Sequence, residues 1–288
     1  MAQRLEQQAG LTDIQLDHIR RLEQACNAFE GLTMKLNWGR LRRRPTGQVN
    51  DFLFFEEDEL AGFLALYSFS QTEAEVSAMT HPDHRRRGIF GRLLSAARQE
   101  LKQRNIPDFL FICEQASRSG LSTMKSIGAR YEFTEHKMVL AQPVKPSTNP
   151  QFEMRPAGPE DLAEMVRLDE LCFGISGEVT RRHLEEGLVD LGRLLLIAAI
   201  EEQTIGKIQV TRIGSEAYIS GFCVYPAFRG QGYGTAILTI TAERLVAGGH
   251  HNITLEVATD NRRALALYER CGFKVVTAYD YYRLAVTG

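Results

Sequence analysis

Apolar and polar residues alternate along this chain in two successive cycles of the same pattern. DIQLDHIRRLEQACNAF (13–29) and PEDLAEMVRLDELCF (159–173) place apolar residues three and four apart, which predicts helices with one buried face. Each is followed by short runs rich in Val, Ile, Phe and Leu. DFLFFEEDELAGFLALYSF (51–69) predicts a hairpin, and RLLLIAAI, TIGKIQVTRIG and EAYISGFCVYP (193–226) predict three strands, the first two joined by a tight EEQT turn. GTAILTITAERLVAGG then predicts a helix stopped by paired glycines. NITLEVAT predicts a strand, NRRALALYERCG a short helix, and FKVVTA and YYRLAV two closing strands. FEMRPA opens the second cycle as a strand, whereas the opening strand of the first has no clear signal.

The two cycles are a duplication. THPDHRRRGIFGRLL (80–94) matches VYPAFRGQGYGTAIL (224–238), so that Pro82 and Pro226, Arg85 and Arg229, and Gly88 and Gly232 all stand 144 positions apart. Gly128 and Gly272 keep the same offset, so the connections between them have equal length. AQPVKPSTNP (141–150) carries three prolines and no periodicity, and reads as a linker between an N-terminal domain at 1–140 and a C-terminal domain at 151–288.

Composition narrows the function classes. A chain of 288 residues with 44% apolar and 24% charged residues can bury two cores of ordinary size. A net charge of −2 supplies no field for nucleic acid or an anionic membrane, and no run of about 18 apolar residues suggests a membrane span. Cys26, Cys113, Cys172, Cys223 and Cys271 are scattered, odd in number and without a CxxC pair. Together with an N-terminus lacking an apolar leader, they predict reduced thiols in a cytoplasmic protein. No histidine pair shows metal-ligand spacing, so no metal is expected. The arginines at 40 and 42–44 read as a solvated strand face or a contact for an acidic substrate, since no aromatic residues interleave them as in a nucleic-acid patch.

The candidate chemistry centres on FRGQGYG. A glycine-rich turn between a strand and a helix points backbone N–H groups outward at the positive end of the helix dipole, where an anion such as a pyrophosphate fits. No Gly-Lys pair follows, as a Walker loop requires, and the glycines are spaced GxGxG rather than GxGxxG. A plain tight turn is the simpler alternative. The arrangement of Val224, Pro226, Arg229, Gly232 and Gly234 resembles the coenzyme A loop of the GNAT acetyltransferases. LEVATDNRRALALYERCGFK, with Asn261, Ala264, Tyr268 and Gly272-Phe273, resembles the second half of that family's pattern.

The resemblance implies an α/β (α+β) fold of two tandem domains, each a mixed, mostly antiparallel sheet flanked by helices. It further implies transfer of an acetyl group from acetyl-CoA, as co-substrate, to a primary amine on a small molecule or peptide, by direct attack in a ternary complex. Arg229, Gly230, Gln231, Gly232, Tyr233, Gly234 and Thr235 would hold the pyrophosphate. Phe222, Cys223 and Val224 would line the pantetheine arm, with the Val224 N–H as oxyanion donor and Asn261 beside the coenzyme. Glu256 would take the amine proton and Tyr268 would protonate the departing sulfur.

On the residues alone, Glu256 is equally a solvent-facing strand position, Tyr268 an aromatic packed on the sheet, and Arg229 a surface arginine. The N-terminal loop offers Arg85, Arg87, Gly88 and Gly91 as corresponding coenzyme contacts, but Phe90 stands where Gly234 does. Met124 replaces Tyr268, Ser117 replaces Asn261 and Ile112 replaces Glu256, leaving Glu114 as a substitute base. A structural or regulatory role is therefore expected for that domain, with both domains acting on one substrate as a second reading. Tyr279, Tyr281 and Tyr282 fall in a region that borders the acceptor in this family and are equally core and edge residues, while the 174–187 segment, with Glu178, Arg181 and His183, falls where the family places its acceptor-lining loop. A non-catalytic acyl-CoA sensor or interaction protein is the alternative.

Overall fold

The computed structural model describes residues 2–44, 47–68, 71–142 and 151–287. It divides into two compact units, Met1–Thr134 with Thr277–Gly288, and Glu135–Val276. The predicted linker falls mostly at 143–150, outside the described residues.

The first unit begins with β1 (Gln3–Gln8), which is paired antiparallel to the hairpin that follows. Its residues are polar and mostly exposed, as suits an edge strand, so hydrophobic alternation could not reveal it. Helix α1 (Asp13–Glu30) starts at a Thr12–Gln15 capping box and buries Leu16, Ile19, Leu22 and Cys26 along one stripe. A short α2 (Trp38–Arg42) takes the arginine run, which therefore does not form a strand face. Arg44 instead turns inward and makes two hydrogen bonds, of 2.6 and 2.8 Å, with the fully buried Asp51.

Strands β2 (Asp51–Glu56), β3 (Glu59–Tyr67), β4 (Glu73–Thr80) and β5 (Asp108–Glu114) form the sheet, with α3 (Ile89–Gln103) and α4 (Arg118–Ser126) connecting them. All neighbouring pairs are antiparallel except β4–β5, which runs parallel over Glu73–Val76 and Asp108–Phe111. Alternation sends Phe52, Phe54, Leu64 and Leu66 against α3 and α4, and Leu53, Phe55, Phe63 and Ala65 against α1.

In the second unit, β6 (Arg130–Leu140) contributes Glu135–Val139. They are followed by β7 (Glu153–Pro156), α5 (Leu162–Phe173), α6 (Gly177–Val189), β8 (Arg193–Ile200), β9 (Gln203–Ile213), β10 (Glu216–Val224), α7 (Tyr233–Ala247), β11 (Asn252–Ala258), α8 (Arg262–Arg270) and the start of β12 (Phe273–Ala285). Leu196, Ala198, Ile219, Leu255 and Val257 pack with α7 and α8, whereas Leu195, Ile197 and Ala199 pack with α5 and α6. The sheet is thus covered on both faces.

Two expectations change. Residues 177–189 form a helix rather than a loop. The closing segment is one 13-residue strand rather than two. Its Tyr279–Ala285 portion pairs with β5 in the first unit, while Glu135–Val139 pairs with β11 in the second. Each half of the sequence thereby completes its sheet with a segment encoded in the other. Tyr279 and Tyr281 are consequently buried core residues of the first unit.

Candidate active site

In the second unit β10 and β11 run parallel as neighbours only from Glu216–Asn252 to Ile219–Leu255, and then part. The cause lies in β10. Its register against β9 shifts between Ser220 and Cys223, where Gly221 takes φ +53°. Such a bulge inserts a residue, twists the strand and frees main-chain groups from the ladder. Tyr225 donates to the Ile205 carbonyl at 2.9 Å, so by antiparallel alternation Val224 lies in the non-bonded pair with Gly206. The Val224 N–H and C=O therefore face away from β9, toward the gap beside β11.

The chain leaves β10 through a 3-10 turn at Pro226–Phe228 and enters α7 over Gly230 and Gly232, at φ +78° and +86°. These are conformations that only glycine adopts freely, and a Cβ at either would meet nothing within 4 Å. The space above them is therefore open. Among the described residues no side chain caps the amino end of α7, which begins at Tyr233, so its first N–H groups are available to an anion. Arg229 folds back, donating from Nε to the Val224 carbonyl at 2.9 Å and from Nη2 to Cys172 Sγ at 3.3 Å. Gln231 Nε2 bonds the Ala227 carbonyl, which fixes the turn from below. Gly234 is glycine for a different reason: a Cβ there would lie 3.1 Å from Leu267 and 3.7 Å from Phe222. Thr235 follows on the first turn of α7.

Tyr268 projects from α8 into the α7–α8 side of the core, 6.3 Å from the rings of Phe222 and Phe273. Burial pushes its phenol up to about 12, with Cys223 and Cys271 adding to the rise. The hydroxyl makes no hydrogen bond among the described residues. Glu256 is the first residue of β11 beyond its last pair with β10, and alternates with Leu255 and Val257. It therefore faces the opposite side of the sheet from Tyr268. The two side chains are not in contact; they flank the gap from its two faces. Tyr218, which the sequence reading overlooked, donates from its hydroxyl to Glu256 Oε2 at 3.1 Å. A parallel register between strands 38 residues apart leaves no signal in a single sequence.

Asn261 caps α8, accepting the Ala264 N–H at 3.2 Å. His183 accepts a hydrogen bond from Arg193 across α6 and β8. Buried Lys207 lies 2.8 Å from Asp169 on α5 as an ion pair.

The first unit repeats the loop but not its surroundings. Arg86 and Gly88 adopt φ +64° and +79°, and Arg85 Nε donates to the Thr80 carbonyl at 3.2 Å. No side chain caps α3, Gly91 has open space at its Cβ, and Phe90 packs near Phe111. However, β4 keeps one register against β3 from Tyr67–Glu75 to Gly62–Thr80, so it has no bulge. Arg85 also faces Glu30, whose carboxylate accepts from Ser117, Ser119 and the Ser119 N–H. Arg87 is turned toward Glu56. Glu114 accepts from the Thr33 N–H and hydroxyl and from Thr277, a cluster of bonds that suits a fixed carboxylate better than a base. Met124 lies buried in the core.

The glycine turn between β10 and α7 takes the form that the FRGQGYG pattern predicts, opening a helix whose amino end no described side chain caps. The model of the acetyltransferase (GNAT) family matches twice, at residues 16–120 and 162–273. The chain belongs to the GNAT acetyltransferase family.

Among its relatives, the mycothiol acetyltransferase of Kineococcus radiotolerans is 30% identical over 275 residues, covering 89% of each chain. That of Streptomyces scabiei is 27% identical, covering 94% of this chain and 92% of its own. Among solved GNAT structures, a GCN5-related N-acetyltransferase from Sphaerobacter thermophilus superposes with a TM-score of 0.81 at 20% identity, over 99% of this chain and 96% of that one. A tandem GNAT protein from the clavulanic acid biosynthesis pathway gives 0.79 at 18% identity, over 100% and 99%. The tandem GNAT architecture thus extends along the whole chain.

Proposed function

We propose that the second unit transfers an acetyl group from acetyl-CoA to a primary amine of a small molecule, by direct attack in a ternary complex. The observation that carries this reading is the Gly230–Gly232 cradle at the uncapped amino end of α7, set at the edge of the β10–β11 gap. Its open Cβ positions fit a pyrophosphate, and Arg229 stands ready beside it. The thioester arm would lie along Phe222, Cys223 and Val224, where the freed Val224 N–H can donate to the carbonyl oxygen as it becomes negative.

Glu256, held by Tyr218, would accept the proton of the incoming ammonium from one face of the gap. Tyr268, kept protonated by burial, would donate to the departing thiolate from the other. The two groups need not touch, because the amine adds to one face of the planar carbonyl and the thiolate then leaves the tetrahedral intermediate from a separate position. The small-molecule acceptor is supported by the full-length likeness to mycothiol acetyltransferases. For the first unit, the absence of a bulge, Met124 at the acid position and Glu30 beside Arg85 support a non-catalytic role.

The test is a steady-state assay of coenzyme A release from acetyl-CoA with a panel of small amines. Saturable release with intersecting initial-rate patterns is expected. No release with any acceptor, despite measurable acetyl-CoA binding, would leave a coenzyme-binding protein without transferase activity.

A further inference from the structure

The first unit carries a cluster of side chains that its fold and the transferase reading leave unused. His81 precedes and His84 ends Pro82–His84, the 3-10 turn ahead of its glycine loop, and Glu59 leans over them from the β2–β3 hairpin. One ligating atom from each of the three lies within 4.8 Å of the others. Glu59 Oε2 is 3.3 Å from His84 Nε2, and Glu59 Oε1 is 3.9 Å from His81 Nε2. Atoms bound to one tetrahedral zinc at about 2.0–2.1 Å stand roughly 3.3–3.4 Å apart, so small side-chain movements would bring all three into range.

The surroundings favour a cation over a plain ion pair. His84 Nδ1 is 2.7 Å from Oε2 of the buried Glu56, which holds the ring with its Nε2 edge toward Glu59. A carboxylate behind a histidine is the usual support of a metal-bound imidazole, because it orients the ring and raises its basicity. Arg87 bonds the same Glu56 oxygen at 3.1 Å, so its charge balances Glu56 and lies behind the ring rather than at Nε2. Around His81, Nδ1 accepts the Asp83 N–H at 3.3 Å, and the Asp83 carboxylate is 3.9 Å away. With a metal on Nε2 the proton would move to Nδ1, and that carboxylate would become its acceptor. The cluster opens on a cavity of about 590 Å³, lined also by His18, Arg21, Glu57 and Asp58, which leaves room for a water as fourth ligand.

We propose that Glu59, His81 and His84 form a divalent transition-metal site of the zinc class, supported by Glu56. It ties the β2–β3 hairpin to the loop of the first unit. Binding forms three protein–metal bonds and leaves an open fourth position. Two imidazoles and one carboxylate suit zinc better than calcium or magnesium, whose sites are built from oxygen.

The test uses the full chain stripped with a chelator and titrated with zinc against a chromophoric competitor. One equivalent per chain is expected. Glu59→Gln, an exposed change that leaves the fold intact, should remove it, and His81→Asn should do the same. Glu56→Gln should weaken binding by about 10- to 100-fold. Zinc should raise the thermal midpoint of the wild type but not of Glu59→Gln. Cobalt should give tetrahedral d–d bands without thiolate charge transfer. No bound equivalent, an equivalent that survives both Glu59→Gln and His81→Asn, or a thiolate band would each overturn the assignment.

Discussion

Arg229 donates to the Val224 carbonyl at 2.9 Å, tying the glycine loop back to the strand that leads into it. Arg85 and Thr80 repeat this tie in the first unit at 3.2 Å. The arginine thus shapes the turn from within as well as lending charge. Arg229→Ala should weaken acetyl-CoA binding by about tenfold, as expected for one charge-assisted contact, measured by calorimetry. Arg85→Ala should leave the coenzyme affinity unchanged if only the second unit binds it.

The glycines separate the two loops in the same way. Gly232→Val would place a β-branched residue at φ +86° and fill the space over the cradle. Coenzyme binding should become undetectable by calorimetry while the circular dichroism spectrum is retained. Gly88→Val carries similar backbone strain in the first unit and should leave acetyl-CoA stoichiometry unaltered. Intact affinity in Gly232→Val would remove the loop from the coenzyme site.

Tyr268→Phe keeps the packing against Phe222 and Phe273 and removes only the hydroxyl. Turnover should fall at least about tenfold, with acetyl-CoA affinity nearly unchanged. Because burial raises the phenol to about 12, its acid form persists well above neutrality. The wild-type rate should therefore show no alkaline decline from this group below about pH 11. An unchanged rate in Tyr268→Phe would exclude the hydroxyl as the acid. Tyr218→Phe should lower turnover more mildly, since it removes a support of Glu256 rather than a reacting group.

Cys172 is half-buried beside Arg229, and its thiol is held below the ordinary value, first by a hydrogen bond from Cys223 and then by the guanidinium. A depressed thiol pKa means more thiolate at neutral pH. Cys172 should be the first of the five cysteines alkylated by iodoacetamide, as read by mass spectrometry, and Arg229→Ala should slow it. Uniform labelling of all thiols would contradict this.

Arg44 and Asp51 form a buried pair whose guanidinium also bonds the Leu66 carbonyl. Arg44→Ala would leave a buried carboxylate uncompensated and should cost about 3–5 kcal/mol in denaturant unfolding. Arg42→Ala, on the exposed side of α2, should stay within about 0.5 kcal/mol. Equal effects would show that the buried pair carries no special share of stability.

Much of the fold was legible where periodicity is strong. The apolar spacing of α1, the paired glycines after α7 and the alternation in β11 each locate an element from adjacent residues. β1 escaped because an edge strand of polar residues needs no apolar face. Residues 177–189 escaped because an interrupted apolar stripe of Val179, Leu184 and Leu188 is a weak helical signal beside two glycines. The candidate site was legible as a list of residues, but the support of Glu256 by Tyr218 and the contact of Arg229 with Cys172 were not.

The sequence by itself determined the duplication, the glycine loops and the family, because these are local patterns of residue type and spacing. Only the tertiary structure decided that β10 bulges while β4 does not, and that the two halves trade their final strands. It also decided that Glu59 meets His81 and His84. Strand register and the approach of distant segments depend on how whole faces pack, and a linear pattern carries no record of which faces meet.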